Sequence, residues 1–193
     1  MANDEMEGIA AGVRVTADYA GGNIRVLGRE GRTVRLEQEL RDTEGWWFYW
    51  SFRARSDDAG AVVFSFENGD VIGPHGPAVS RDGQTWRWLG AASAPDRRSF
   101  EYAFEAGETA YFCFAIPYQA HHFERWYARI AGHPLVRREV LTVSEGLRPV
   151  PLLLVGRPDA EQYAMLTCRH HACESPPSYL LEGLLDDVLE RGS

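Results

Sequence analysis

The sequence has no excess of positive charge. It carries 20 Lys and Arg residues against 28 Asp and Glu residues, so its formal net charge is −8 at pH 7. A nucleic-acid-binding surface needs clustered cations that neutralise phosphates, and this balance therefore argues against a nucleic-acid partner. Cysteine is also scarce, since the chain contains only Cys113, Cys168 and Cys173. A small, odd-numbered set of this kind forms no disulfide framework and is typical of a reducing cytoplasm.

Long hydrophobic runs are missing as well. The run VPLLLV at 150–155 is far shorter than the roughly 20 apolar residues that a membrane-spanning helix needs. The sequence begins with MANDEMEGIAAG, which has neither the basic start nor the apolar stretch of a secretory leader. Hydrophobic residues make up 45% of the chain and charged residues 25%, an ordinary globular composition. We therefore expect a cytoplasmic protein without membrane contact.

Up to Pro117 the chain has the alternation of β-strands. In WWFYWSFRAR, at 46–55, every second side chain from Trp46 to Ala54 falls on one face, which predicts a strand with one face on a core. Similar patterns occupy 34–40, 62–66, 85–89, 99–104 and 109–116, with turn sequences between them. These short strands predict an antiparallel β-sandwich over residues 1–117. We interpret its tryptophans, Trp46, Trp47, Trp50, Trp86 and Trp88, as core residues rather than as a ligand platform.

After Pro117 the pattern changes to alternating helices and strands. The apolar residues Phe123, Trp126, Tyr127 and Ile130 recur at helical spacing, which predicts an amphipathic helix near 121–131. Strands are predicted at 135–143, 150–155 and 163–168, the second covered on both faces because it is apolar throughout. We interpret residues 118–193 as the incomplete start of an α/β domain, which makes the whole chain a mixed fold.

The last helix is predicted at 176–192. Ser175 is its candidate N-cap, and the prolines at 176 and 177 suit its first turn. Its predicted apolar stripe consists of Leu180, Leu184 and Val188. Its acidic residues, Glu182, Asp186, Asp187 and Glu190, are expected on a solvated face. The helix should therefore pack through its aliphatic side chains.

A candidate metal-binding pair lies in the loop before this helix. In CRHHACESPP, at 168–177, His171 and Glu174 have the spacing His-x-x-Glu, and both side chains are ordinary zinc ligands. Because proline disfavours a helical conformation in the residue before it, Ser175 is expected to be extended and Glu174 to lie in a strand-to-helix loop. Open α/β sheets place ligands at such carboxyl ends of strands. The spacing alone is a weak signal that chance produces often, and without further context it favours a loop histidine and a surface glutamate over a metal site.

The surrounding sequence resembles a known family. SEGLRPVPLLLV and LTCRHHACESPPSYLLEGLLDDVL follow the order in which carboxypeptidase A-like zinc metallocarboxypeptidases begin their catalytic domain. That order is a turn S-x-x-G-R-P, a strand, a second strand ending in His-x-x-Glu, and a helix. Leu147 is one extra residue within the turn motif. The aromatic run WWFYWSFRAR and the segment TAYFCFAIPYQAHHFERW are similar to the N-terminal domain and junction of the cytosolic carboxypeptidase branch.

The resemblance implies a β-sandwich N-terminal domain at 1–117 and a truncated N-terminal portion of a zinc carboxypeptidase catalytic domain at 118–193. It implies that His171 and Glu174 are the first two ligands of a zinc ion, which activates water to hydrolyse C-terminal residues of peptides or proteins. The family's third ligand, general base and carboxylate-binding groups cannot be assigned within this chain. We therefore expect the chain alone to be inactive, and its unfinished sheet to permit self-association.

Neighbouring residues have simpler interpretations. His170 should face away from the metal, because adjacent residues of an extended segment point to opposite sides. Cys173 is interpreted as a small buried residue, and Arg169 as a structural ion-pair partner rather than a substrate clamp. His121 and His122 are interpreted as solvent-facing polar residues.

A second hypothesis is a non-catalytic binding module, in which the aromatic sandwich recognises a partner and the α/β segment is vestigial. The two hypotheses differ in whether the chain binds zinc. Stoichiometric zinc that is lost in His171→Ala would favour the metallopeptidase, whereas an unchanged metal-free fold would favour the module.

Overall fold

The computed structural model describes residues 12–41 and 43–192. The chain divides into two compact units, of which the first ends at Pro117 and the second begins at Tyr118. Within the described ranges, no helix combines the length and the apolar character needed to cross a lipid bilayer.

The first unit consists of β-strands in two sheets. Its elements are β1 Val13–Thr16, β2 Arg25–Glu30, β3 Thr33–Glu37, β4 Ser51–Ser56, β5 Gly60–Phe66, β6 Ala78–Ser80, β7 Arg87–Trp88, a 3₁₀ turn at Ala91–Ser93, β8 Ser99–Phe104 and β9 Thr109–Cys113. One sheet has the order β1-β4-β9-β6-β7 and the other the order β2-β3-β5-β8. Strands β3 and β5 pair in parallel, whereas the other pairings described in this unit are antiparallel. The predicted sandwich is thus confirmed, with one parallel pair that the alternation did not reveal.

Aromatic side chains from both sheets form the core of this unit. Phe52 on β4 is fully buried, and its ring lies 5.0 Å from that of Phe64 on β5 and 5.3 Å from that of Phe112 on β9. The alternation of β4 explains this placement, because Phe52 and Ala54 are buried whereas Arg55 is exposed. Burying one such ring contributes about 1.5–3 kcal/mol.

Most tryptophans lie outside this core. Trp50 is fully buried, Trp47 and Trp86 are half-buried, and Trp46 and Trp88 are exposed. The core interpretation is therefore wrong for Trp46 and Trp88. The strand predicted at 46–55 begins only at Ser51, and Trp88 lies on the two-residue edge strand β7. Before a strand or at an open sheet edge, no neighbouring strand helps to cover the indole ring.

The second unit contains two helices and a β-hairpin. Its elements are α1 Ala120–Ile130, β10 Val136–Val143, β11 Pro149–Val155 and α2 Pro176–Arg191, and β10 pairs antiparallel with β11. Trp126 and Ile130 of α1 form a buried cluster with Leu189 of α2, and Phe123 and Tyr127 pack against this cluster. The apolar face predicted for α1 is confirmed.

Two strand predictions for this unit are corrected. Residues 163–168 form no strand, and Tyr163 and Met165 are exposed, at 79% and 89%. A strand needs a hydrogen-bonded neighbour, and the sheet described in this unit contains only β10 and β11. For the same reason β11 is half-covered rather than buried on both faces. Exposed apolar residues on β10 include Val140, Leu141 and Val143.

Helix α2 buries a different face from the one predicted. The expected apolar stripe of Leu180, Leu184 and Val188 is exposed, whereas Ser178 and Leu189 are buried. These two buried positions are 11 residues apart, about three helical turns, so they lie along one side of α2. The aliphatic stripe therefore does not form the contact with α1.

The acidic side of α2 lies towards α1 instead. Asp186 accepts hydrogen bonds from the indole N–H of Trp126 at 3.0 Å and from the guanidinium of Arg129 at 3.1 Å. Glu182 accepts a hydrogen bond from the Tyr118 hydroxyl, and burial raises the pKa of this carboxyl. The solvated acidic face predicted for α2 is thus wrong for these two residues. Polar donors on and before α1 make a carboxylate a better neighbour than a leucine there.

Candidate metal site

The predicted ligands lie in the loop that precedes α2. Two main-chain hydrogen bonds close this loop, from the N–H of Glu174 to the carbonyl oxygen of His171 at 3.1 Å and from the N–H of Ser175 to that of Cys173 at 2.9 Å. The prolines at 176 and 177 occupy the first two positions of α2, where an N–H has no partner within the helix. Ser175 takes the N-cap position, but its side chain makes no cap bond. Its backbone is helical, with φ −68° and ψ −40°, so the prediction of an extended Ser175 is wrong.

The loop brings the two predicted ligands together. Nδ1 of His171 lies 2.7 Å from Oε1 of Glu174, and the side chains are 63% and 44% exposed. Hydrogen bonds from the side chain and main chain of His171 lower the pKa of Glu174. The carboxylate is therefore ionised at neutral pH, and Nδ1 of His171 donates to it because an ionised carboxylate only accepts.

This pair fits a metal ion by type, whereas its present spacing is that of a hydrogen bond. Zinc bonds to nitrogen and oxygen are about 2.0–2.2 Å long, so two tetrahedral ligands have donor atoms roughly 3.3 Å apart. The observed separation between Nδ1 of His171 and Oε1 of Glu174 is 2.7 Å. An ion that takes both side chains as ligands would have to replace this hydrogen bond, because Nδ1 of His171 carries the shared proton and a metal-binding nitrogen must be unprotonated. Within residues 12–41 and 43–192, no cluster of three or more His, Cys, Asp or Glu residues forms a complete metal site.

Two other polar residues of the loop have separate environments. Nε2 of His170 lies 2.9 Å from Oγ1 of Thr167, and His170 is exposed. Cys173 is buried, as predicted, and burial raises the pKa of its thiol. Its sulfur is not in a disulfide, and neither are those of Cys113 and Cys168. The thiol lying between the two candidate ligands is thus a protonated side chain at neutral pH.

Arg169 has a different role from the predicted one. Its guanidinium forms no ion pair with a described carboxylate, but donates to the carbonyl oxygen of Tyr118 at 2.6 Å and to that of Ala172. The residue adopts a positive φ of 63°, which is uncommon for a side chain other than glycine. Sequence reasoning missed these contacts because every residue type supplies the same main-chain carbonyl acceptor.

The paired histidines at the start of α1 are not equivalent. His121 is exposed, as predicted, but His122 is half-buried. Nδ1 of His122 accepts a hydrogen bond from the main-chain N–H of Gln119 at 2.9 Å, which completes a capping box. Burial lowers the pKa of His122. The solvent-facing interpretation is thus wrong for His122, which caps α1.

In sequence, the chain is similar to two curated proteins, while no protein-family model matches it. It is 25% identical over 185 residues to an uncharacterised protein of Zymomonas mobilis, covering 92% of this chain and 48% of that protein. It is 23% identical over 168 residues to cytosolic carboxypeptidase 6 of Caenorhabditis elegans, covering 75% of this chain and 37% of that protein. The chain thus spans about half the length of the first relative and less of the second.

In fold, the chain is similar to bacterial carboxypeptidases of known structure. It matches a metallo-carboxypeptidase of Burkholderia cenocepacia with a TM-score of 0.76 at 17% identity, over 92% of this chain and 49% of that one. A protein of Burkholderia mallei assigned as a carboxypeptidase gives a TM-score of 0.79 at 19% identity, over 97% and 49%. The chain therefore has the fold of about half of a bacterial metallocarboxypeptidase, and in sequence it is similar to a cytosolic carboxypeptidase.

Proposed function

We propose that this chain is part of a zinc-dependent peptidase that removes C-terminal residues from peptides or proteins. His171 and Glu174 are the two zinc ligands that the chain contributes. The observation that carries this proposal is that the loop places the imidazole of His171 beside the carboxylate of Glu174, the two being hydrogen-bonded at 2.7 Å. The fold similarity to metallocarboxypeptidases supports the reaction class. Peptide C-termini are accordingly the proposed substrates.

The properties of the two side chains suit this role. The carboxylate of Glu174 accepts hydrogen bonds from His171, which lower its pKa, and a carboxylate is an ordinary zinc ligand. Both side chains are partly open to solvent, so an ion can reach them without unfolding the loop. A bound zinc ion would lower the pKa of a water molecule towards 7 and so supply the nucleophile for hydrolysis. Two protein donors leave the other positions of a tetrahedral ion open for a further ligand and for water.

Metal analysis of the purified chain tests the proposal. We expect one zinc ion per chain after incubation with zinc and desalting, together with a rise in the unfolding temperature of the second unit. A ligand that binds only the folded state stabilises it by about 2.7 kcal/mol at 100 times its dissociation constant. A chain that retains no zinc and unfolds at the same temperature with and without the metal would contradict the proposal.

We further propose that the chain alone has no peptidase turnover. The described residues offer two candidate ligands and no cluster of three, whereas catalytic zinc sites use three protein ligands and an open position. An assay of C-terminal hydrolysis on an unstructured peptide with zinc present should give the uncatalysed rate. Turnover that disappears in Glu174→Ala would contradict this prediction, because it would show that the pair suffices for catalysis.

One observation favours a binding module as the second candidate. A groove of about 310 Å³ in the first unit is lined by Trp86, Arg87 and Tyr102 among other residues. An aromatic ring beside a guanidinium can bind a partner without any metal. The zinc measurement separates the two candidates, because a module needs no metal in the second unit.

A further inference from the structure

The loop that carries the candidate ligands is tied to one residue at both of its ends. At its start, the Arg169 guanidinium donates to the carbonyl oxygen of Tyr118 at 2.6 Å. At its end, Oγ of Ser175 accepts a hydrogen bond from the main-chain N–H of Tyr118 at 3.1 Å. His171 and Glu174 lie between these two attachments. The main chain of Tyr118 thus holds the loop by its donor and its acceptor together.

Tyr118 is itself firmly placed. It is 8% exposed, and its hydroxyl donates to Glu182 of α2. Its ring makes an edge contact with that of Tyr179 at 5.0 Å and stacks on that of His122 at 5.6 Å. The attachment point of the loop is therefore part of the packed interior between the two helices rather than a mobile segment.

Arg169 also braces the loop from within. A second nitrogen of its guanidinium donates to the carbonyl oxygen of Ala172, which lies between His171 and Glu174 in the sequence. A planar guanidinium can bond two carbonyls at once, whereas the compact ammonium of lysine cannot reproduce that fork. The positive φ of Arg169, 63°, needs surroundings that hold the residue in place.

We propose that Arg169 is a positioning residue for the candidate zinc site. This inference rests on the proposed function. By bonding the carbonyl oxygens of Tyr118 and Ala172 at once, Arg169 fixes the path of the loop and so keeps the imidazole of His171 beside the carboxylate of Glu174 before a metal binds. Arg169 itself contacts no metal. Without it, the ligands must be ordered when zinc binds, and the affinity falls.

The first test measures zinc affinity in variants of the chain. Arg169→Ala and Arg169→Lys are both expected to weaken zinc binding by about 10- to 100-fold, as found for residues that orient metal ligands. Millimolar methylguanidinium should restore part of the affinity in Arg169→Ala, but none in His171→Ala. Arg137→Ala is the matched control. Arg137 is exposed and lies on β10 rather than in the loop, where it forms an ion pair with Glu139 at 2.9 Å. An unchanged affinity in both Arg169 variants would overturn the proposal.

The second test needs no metal. Amide hydrogen exchange on the metal-free chain should show faster exchange at Glu174 and Tyr118 in both Arg169 variants, and unchanged exchange in Arg137→Ala. If these amides keep their wild-type protection, Arg169 does not position the loop. If the wild-type chain binds no zinc at all, the proposed function fails, while this experiment still decides the role of Arg169. Should Arg169→Ala fail to fold, Arg169→Lys supplies both measurements.

Discussion

Zinc affinity is expected to fall by more than about 100-fold when either His171 or Glu174 is replaced by alanine. Removing a ligand should lower the affinity more than removing a residue that orients a ligand, which costs about 10- to 100-fold. Each substitution removes one of the two candidate ligands, whose side chains are hydrogen-bonded to each other at 2.7 Å. Both side chains are substantially exposed, so the fold should survive the change. Competition with a chromophoric chelator measures the dissociation constants. His171→Ala combined with Glu174→Ala should lose little more than either alone, because one remaining donor already binds weakly.

The adjacent histidine supplies the control for this experiment. His170 has the same side chain one position earlier, but its Nε2 lies 2.9 Å from the hydroxyl of Thr167. His170→Ala is expected to leave zinc affinity nearly unchanged. If His170→Ala loses as much affinity as His171→Ala, the assignment of the ligand is wrong.

Trp50→Ala is expected to destabilise the first unit by about 3–5 kcal/mol, the usual cost of deleting a large aromatic side chain from a core. Trp50 has no exposed surface, and its ring lies 4.8 Å from that of Phe66 and 6.1 Å from that of Phe100. Its indole N–H also donates to the carbonyl oxygen of Val71 at 2.8 Å, an acceptor that the alanine variant leaves buried and unpaired.

Trp46→Ala is the matched control for that substitution. Trp46 is 54% exposed, and its indole N–H donates to the carbonyl oxygen of Asn68 at 2.7 Å. Losing an exposed ring with one hydrogen bond should cost about 1 kcal/mol or less. Chemical unfolding followed by circular dichroism compares the two variants. Equal losses would show that the aromatic run at 46–55 packs as one continuous strand, in conflict with the structure.

The sequence predicted the sandwich more successfully than the helical unit, for a physical reason. In β4 and β8 the apolar residues Phe52 and Ala54, and Phe100, Tyr102 and Phe104, recur at every second position, and all five are buried as that period predicts. In α2 the period gave the wrong face, because leucines lie around most of the helix. The packing face depends on what α1 presents to it, namely the indole N–H of Trp126 and the guanidinium of Arg129. A partner's hydrogen-bond donors cannot be inferred from the helix itself.

The candidate site was similarly predictable only in part. The spacing of His171 and Glu174, together with the prolines that follow, indicated a loop in which both side chains could meet. The hydrogen bonds that Arg169 and Ser175 make with Tyr118 could not be predicted, because both involve main-chain groups of Tyr118. The residues at 163–168 were predicted as a strand from their apolar pattern, but a strand also requires a neighbour to bond with.

Anomalous scattering at the zinc absorption edge, from crystals of the zinc-loaded chain, examines directly whether one cation is shared by an imidazole and a carboxylate. The account predicts a single strong peak about 2 Å from a ring nitrogen of His171 and about 2 Å from a carboxylate oxygen of Glu174. A peak on His121 or on His170 instead, or none at saturating zinc, would contradict it.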